Sequence, residues 1–252
     1  MDLELTGRAC LVTGASTGIG MGITRILAKE GARVAITARR TALLNRLADE
    51  IEVRHGLRPV VVPGDITRTE DVTRIVAEAE TALGPIGILV NNAGGSRPAR
   101  PDEAEQVWEE AFALNFTAAR RMTEALLPGM RARGWGRIVN LSGSMEPRAL
   151  NASTAAKASL HLWAKGLSCD VAAEGITVNS IAPGRISSEQ TLERLHPTDE
   201  SRRAFIARHI PIGYFGDPED IGQMVAFLTS PLARYVTGAV IPIDGGMHSF
   251  AH

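Results

Sequence analysis

Short apolar runs alternate with longer amphipathic stretches along most of this chain. Residues 8–13, 33–38, 59–63, 86–91, 137–141, 176–181 and 239–243 are rich in Val and Ile and read as strands. Between them, residues 18–30, 41–55, 68–83, 103–131, 153–174 and 218–228 place apolar side chains at helical spacing, the fourth with a break along its length. Strands joined by helical crossovers run parallel and are covered on both faces. The pattern therefore predicts an α/β fold, a doubly wound parallel sheet of about seven strands with helices on both sides. Turn chemistry agrees. Gly31 and Gly175 each stand between a helix and the next strand. Asp217-Pro218-Glu219-Asp220 combines an N-cap, a Pro at the first helical position and acids in the first turn. Residues 183–216 break the alternation and read as a flap with one or two helices. Without a linker or a repeat, residues 1–252 form one domain.

The length of 252 residues suffices for one large core. Hydrophobic residues at 44% and charged residues at 22% are ordinary for a soluble chain, and a net charge of −1 argues against nucleic-acid and membrane partners. Cys10 and Cys169 read as two buried thiols, not a disulfide. The acidic start has no secretory apolar region and no run reaches membrane-spanning length, so the expected compartment is the cytoplasm. No metal is expected.

The chemistry begins after the first strand. Gly14, Gly18 and Gly20 form a turn that opens the first helix, with Ser16, Thr17 and Ile19 between them. Glycines there let backbone N–H groups approach a pyrophosphate, and the helix N-terminus favours the anion. The second strand ends Thr37-Ala38-Arg39-Arg40. An acid at this point would bind a free ribose hydroxyl; two guanidiniums suit a 2′-phosphate instead. This favours NADP(H), with NAD(H) as the alternative. Asp65 and Ile66 end the third strand, where Asp65 either meets the adenine or caps the next helix.

With Asn91-Asn92-Ala93-Gly94 after the fourth strand, the chain resembles the short-chain dehydrogenase/reductase family, a Rossmann-type fold. The resemblance runs the whole length. It includes Asn115, the strand ending Asn140-Leu141-Ser142, Lys157, Asn179-Ser180-Ile181-Ala182-Pro183-Gly184, and Tyr235 with Asp244-Gly245-Gly246. It implies that Asn91, Ala93, Gly94 and Lys157 line the cofactor groove, and that Pro183, Gly184, Ile186 and Ser188 hold the nicotinamide carboxamide. The family's catalytic group is Ser–Tyr–Lys aided by Asn. Asn115 and Lys157 match two members, and a small-molecule substrate and a homodimer or homotetramer follow. The apolar residues Trp108, Phe112, Leu160, Leu162 and Trp163 mark the two helices that build a dimer interface in that family.

Two positions depart from the pattern. The serine position falls on Gly143, flanked by Ser142 and Ser144, and the segment to Lys157 is short, so either serine, or Glu146, is a candidate to polarise a carbonyl. Both serines also suit turn backbone groups. The tyrosine position holds Ser153, a helix N-cap type and a far weaker acid than a phenol of pKa about 10. The remaining tyrosines, Tyr214 and Tyr235, read as packing residues. In the flap, Arg194, His196, Arg202, Arg203, Arg208 and His209 mix with acids and read as a solvated face. The resulting expectation is an NADP(H)-dependent oxidoreductase interconverting a carbonyl and a secondary alcohol. Its proton would come from Lys157, directly or through a water held by Ser153 and Asn115. The alternatives are a nucleotide-binding protein without catalysis and a non-redox lyase or dehydratase.

Overall fold

The computed structural model describes residues 1–250. Its seven strands are β1 (Ala9–Thr13), β2 (Arg33–Thr37), β3 (Val60–Val61), β4 (Ile88–Asn91), β5 (Gly136–Leu141), β6 (Ile176–Pro183) and β7 (Val240–Ile243). They form one sheet in the order β3-β2-β1-β4-β5-β6-β7, every neighbouring pair parallel. The sequence order reverses between β1 and β4, and this switch point opens the crevice in which such sheets hold ligands.

Period-two alternation feeds two cores. In β1, Cys10 and Val12 face one apolar cluster while Ala9 and Leu11 face the other. The first cluster is closed by α1 (Gly18–Lys29), α2 (Thr41–His55) and α8 (Pro218–Thr229). The second is closed by α3 (Thr69–Leu83), α5 (Ala118–Ala132) and α6 (Ala152–Val171). Both faces are buried, which is why the strands read as continuous Val/Ile runs.

The predicted break in the fourth helical stretch is a widened turn. α4 (Glu105–Phe112) continues through Ala113–Thr117 into α5, and the Ala118 N–H bonds to the Ala113 carbonyl, five residues back. Such bulges keep the axis continuous while re-aiming a side chain; here Asn115 is inside it. The flap contains a short wide turn at Gln190–Leu195 and α7 (Asp199–His209). Cys10 is buried, but Cys169 is exposed on α6, against expectation. Tyr235 is 99% exposed and so packs on nothing among the described residues.

Candidate active site

The glycine turn is built as a cradle. Gly14 has φ +67°, and a Cβ there would sit 2.7 Å from Ala93 Cα. Gly20 packs under Asn92, whose Nδ2 donates to the carbonyls of Thr13 (2.9 Å) and Gly14 (3.0 Å). Thr13 Oγ1 accepts from the N–H groups of Asn92 and Ala93, both at 3.1 Å. Thr13 and Asn92 thus lock the turn to β4. The sequence placed them in motifs without assigning them this work. Thr17 is the N-cap of α1 but makes no capping bond, leaving the first helical N–H groups without a side-chain partner. A cradle closed to Cβ atoms and an uncapped helix N-terminus suit a pyrophosphate.

The two arginines after β2 differ. Arg39 is exposed and makes no ion pair among the described residues. Arg40 reaches the flap, pairing with Glu189 at 3.1 Å and donating to Thr17 Oγ1 at 2.8 Å. That pair is open to solvent and worth about 1 kcal/mol or less, so it yields readily to a stronger anion.

Several expected groove residues have other work. The Asn91 Nδ2 donates to Asn140 Oδ1 (2.9 Å) and Thr123 Oγ1 (3.0 Å), tying β4 to β5 and α5. Its side chain is therefore spent inside the fold. Asp65 caps no helix: its Oδ1 accepts from the N–H and hydroxyl of Thr67, and α3 starts after Arg68. The side chains of Ile66 and Ile186 are buried in the two cores, leaving only backbone for the groove. Ser188 bonds Thr191 and lies against Gly18, so the flap begins directly over the start of α1. Gly184 abuts Asp244.

Lys157 and Asn115 come together as expected. A Cβ on Gly94 would lie 2.9 Å from Asn115 Oδ1 and 3.5 Å from Lys157 Nζ. Lys157 is half-buried and donates from Nζ to the Ser142 carbonyl at 2.8 Å. Desolvation brings its pKa down from 10.5 to about 8. Asn115 is fully engaged: Nδ2 donates to the Ala111 carbonyl (2.9 Å) and Ser153 Oγ (3.2 Å), and Oδ1 accepts from the Gly95 N–H (3.0 Å).

The serines resolve by backbone accounting. The Ser142 hydroxyl donates to the Ile181 carbonyl at 2.9 Å, and Ser144 Oγ accepts from the Glu146 N–H at 3.1 Å. The Ser142 proton is thus given to the backbone, while the Ser144 proton has no acceptor among the described residues. The Glu146 carboxylate accepts from the N–H groups of Ser249 and Phe250. Ser153 is not the N-cap of α6. Asn151 takes that place, accepting from the N–H groups of Ser153 and Thr154. Ser153 is instead buried against Asn115, and its proton has no acceptor among the described residues. Neither Tyr214 nor Tyr235 bonds Lys157. One turn beyond Lys157, the sequence reading missed His161, buried with Nε2 unpartnered. Burial first, then the Lys157 ammonium, holds its pKa below the ordinary value.

The comparisons with known proteins cover this whole frame. A family profile described as enoyl-(acyl carrier protein) reductase matches residues 14–248. The chain is 36% identical over 250 residues to galactitol 2-dehydrogenase (L-tagatose-forming) of Cereibacter sphaeroides, covering 96% of each chain. It is 35% identical over 252 residues to the 3-oxoacyl-(acyl-carrier-protein) reductase FabG of Vibrio cholerae, covering 98% of this chain and 99% of that one. Among solved structures, L-sorbose reductase from Gluconobacter frateurii, complexed with NADPH and L-sorbose, superposes with a TM-score of 0.93 at 31% identity. That match covers 99% of this chain and 100% of the other. No helix among the described residues is long and apolar enough to cross a membrane.

Proposed function

The chain belongs to the short-chain dehydrogenase/reductase family, and from that premise we propose that it is an NADP(H)-dependent oxidoreductase interconverting a carbonyl and a secondary alcohol, with Lys157 as its proton-transferring group. The observation that carries this reading is the position of Lys157. Its Nζ is fixed to the Ser142 carbonyl beside Asn115, where the resemblance calls for a phenol and finds only Ser153. The dinucleotide supplies the hydride when bound. The chain's own residues do the rest. The uncapped N–H groups at Gly18, Ile19 and Gly20 receive the pyrophosphate, together with Ser16 and Thr17. The backbone of Asp65, Ile66, Asn91, Ala93 and Gly94 borders the adenosine side, and Pro183, Gly184, Ile186 and Ser188 border the nicotinamide side.

A lysine whose pKa is about 8 remains mostly protonated at neutral pH yet releases its proton more easily than an ordinary lysine. In reduction, the Lys157 ammonium gives a proton to the carbonyl oxygen. In oxidation, the neutral amine takes one from the alcohol. Ser153 offers a second route, since its hydroxyl accepts from Asn115 and keeps its own proton free to donate. The test is cofactor absorbance with the substrates that the relatives' names suggest, ketoses and 3-oxoacyl thioesters, and with polyols in reverse. NADPH binding without turnover of any of these would favour a binding protein. That rival draws on the Ser142 proton being given to the Ile181 carbonyl and on the absence of a phenol at Ser153.

The cofactor preference has its own test. Arg39→Ala is expected to weaken NADPH by about tenfold or more, the scale of one charge-assisted contact, and NADH by little. Calorimetry giving equal losses for both would remove the 2′-phosphate from Arg39.

The proposed assembly is a homotetramer, with a homodimer as its building unit. Leu162 is 79% exposed on α6, and Trp108 and Phe112 line a shallow surface groove with Glu105 and Glu109 on α4. An exposed Leu162 beside the half-buried Trp108 and Phe112 of the adjoining helix suits a self-complementary face. Light scattering at micromolar concentration is expected to return a tetramer mass, and Leu162→Asp a smaller species. A monomer mass for the parent would refute this.

A further inference from the structure

Two cations that the sequence reading did not single out, Arg185 and Arg148, meet the flap helix α7. Arg185 follows the carboxyl end of β6, its guanidinium carbon 5.0 Å from the Phe205 ring centroid. Its side chain makes no ion pair and no hydrogen bond among the described residues, and its Nε is closed to solvent without a partner. Arg148 reaches across from the segment between β5 and α6, its Nη1 3.1 Å from His209 Nε2. Phe205 and His209 are one turn apart on α7, with ring centroids 4.8 Å apart. Two guanidiniums are therefore held on adjacent rings of one helix. Burial first, and then the charge of Arg148, holds the Arg185 pKa below its ordinary value.

No carboxylate among the described residues pairs with either. Glu189 pairs with Arg40, Asp199 pairs with Arg202, and Glu146, on Arg148's own segment, is taken by the N–H groups of Ser249 and Phe250. Neighbouring cations without a counter-ion repel each other, and a guanidinium stacked on a ring presents its fork to planar or tetrahedral oxyanions. Both arms lead back to the reaction centre. The segment carrying Arg148 starts at Ser142, whose carbonyl holds Lys157 Nζ, and β6, paired with β5 as far as Ile181, ends at Pro183 two residues before Arg185.

We infer that the carbonyl substrate carries an anionic oxygen group, a carboxylate or a phosphate monoester, bound between Arg185 and Arg148. This rests on the oxidoreductase reading above and narrows its substrate class. Arg185 holds the anion from the flap and Arg148 from the segment between β5 and α6.

The test compares matched ketones with NADPH: a neutral ketose, the same ketose as its terminal phosphate, and the corresponding keto-aldonate. At least one anionic member is expected to exceed the neutral ketose in kcat/KM by about tenfold or more, with KM rising as salt is added. Whichever anion wins identifies the group. Arg185→Gln is expected to raise KM for that anion about tenfold more than for the neutral ketose. Inorganic phosphate or acetate should compete with the ketone in the unmodified protein, so the inference is testable even if the variant misfolds. Equal kcat/KM for all three ketones, or equal losses for all three in Arg185→Gln, would overturn it. Turnover of none of them by a protein that binds NADPH would overturn the oxidoreductase reading and this inference together.

Discussion

Lys157→Met is expected to lower carbonyl reduction by roughly 10²- to 10⁴-fold, the contribution of one general acid. In the parent, the pH profile should report the same group. Reduction requires the ammonium, so its rate should fall as pH rises through about 8, and alcohol oxidation should rise over the same interval. The variant should lose both inflections. A stability effect of opposite sign accompanies the loss. The folded pKa is depressed from 10.5 to about 8, so folding penalises the charged form. The penalty is fully present below pH 8, shrinks between pH 8 and 10.5, and is gone above that. Replacing Lys157 with a neutral side chain of similar length should therefore raise the melting temperature at pH 7 and leave a smaller gain at pH 10. An inactive but more stable variant is what a residue held for chemistry gives. A Lys157→Met protein that keeps its turnover, or a parent whose profile is flat through pH 8, would place the proton elsewhere.

The fold was legible because its signals are local. Strands buried on both faces read as continuous Val/Ile runs, and Gly31 and Gly175, at φ +79° and +74°, end the helical stretches before β2 and β6. The glycine turn was legible for the same reason. The catalytic half was less so, because its side chains are assigned by long-range bonding. Ser142 and Ser144 carry hydroxyls at the right place in the chain. The Ser142 proton goes to the Ile181 carbonyl of β6, which the local pattern does not show. Asn151 and Ser153 are both good capping types two residues apart; Asn151, bridged to Pro98, takes the cap, and Ser153 goes to Asn115. Asn91 and Asn92 are identical neighbours whose amides go to opposite sides, one into the sheet and one under the glycine turn. Arg148 and Arg185 are far apart in sequence, and both meet rings on α7.

Gly20→Ala should disable the nucleotide end as thoroughly as Lys157→Met disables the catalytic one. The added methyl would overlap Asn92 Nδ2 and the Gly14 carbonyl oxygen and lie 2.9 Å from the Gly14 carbonyl carbon. Backbone atoms at both ends of the turn leave no flexible side chain to move aside except Asn92. Displacing Asn92 breaks its bonds to the Thr13 and Gly14 carbonyls, at about 1–3 kcal/mol for each group left unsatisfied. It also loosens the turn that presents the α1 N–H groups. The expected result is a lower melting temperature together with a loss of NADPH affinity too large to titrate at micromolar protein. Gly166→Ala is the matched control. It lies within α6, nothing stands within 4 Å of its missing Cβ, and alanine is the better helix former by about 1 kcal/mol. That variant should bind NADPH as the parent does and melt slightly higher. If Gly20→Ala behaves like Gly166→Ala in both measurements, the glycine turn is packing alone and the dinucleotide sits elsewhere.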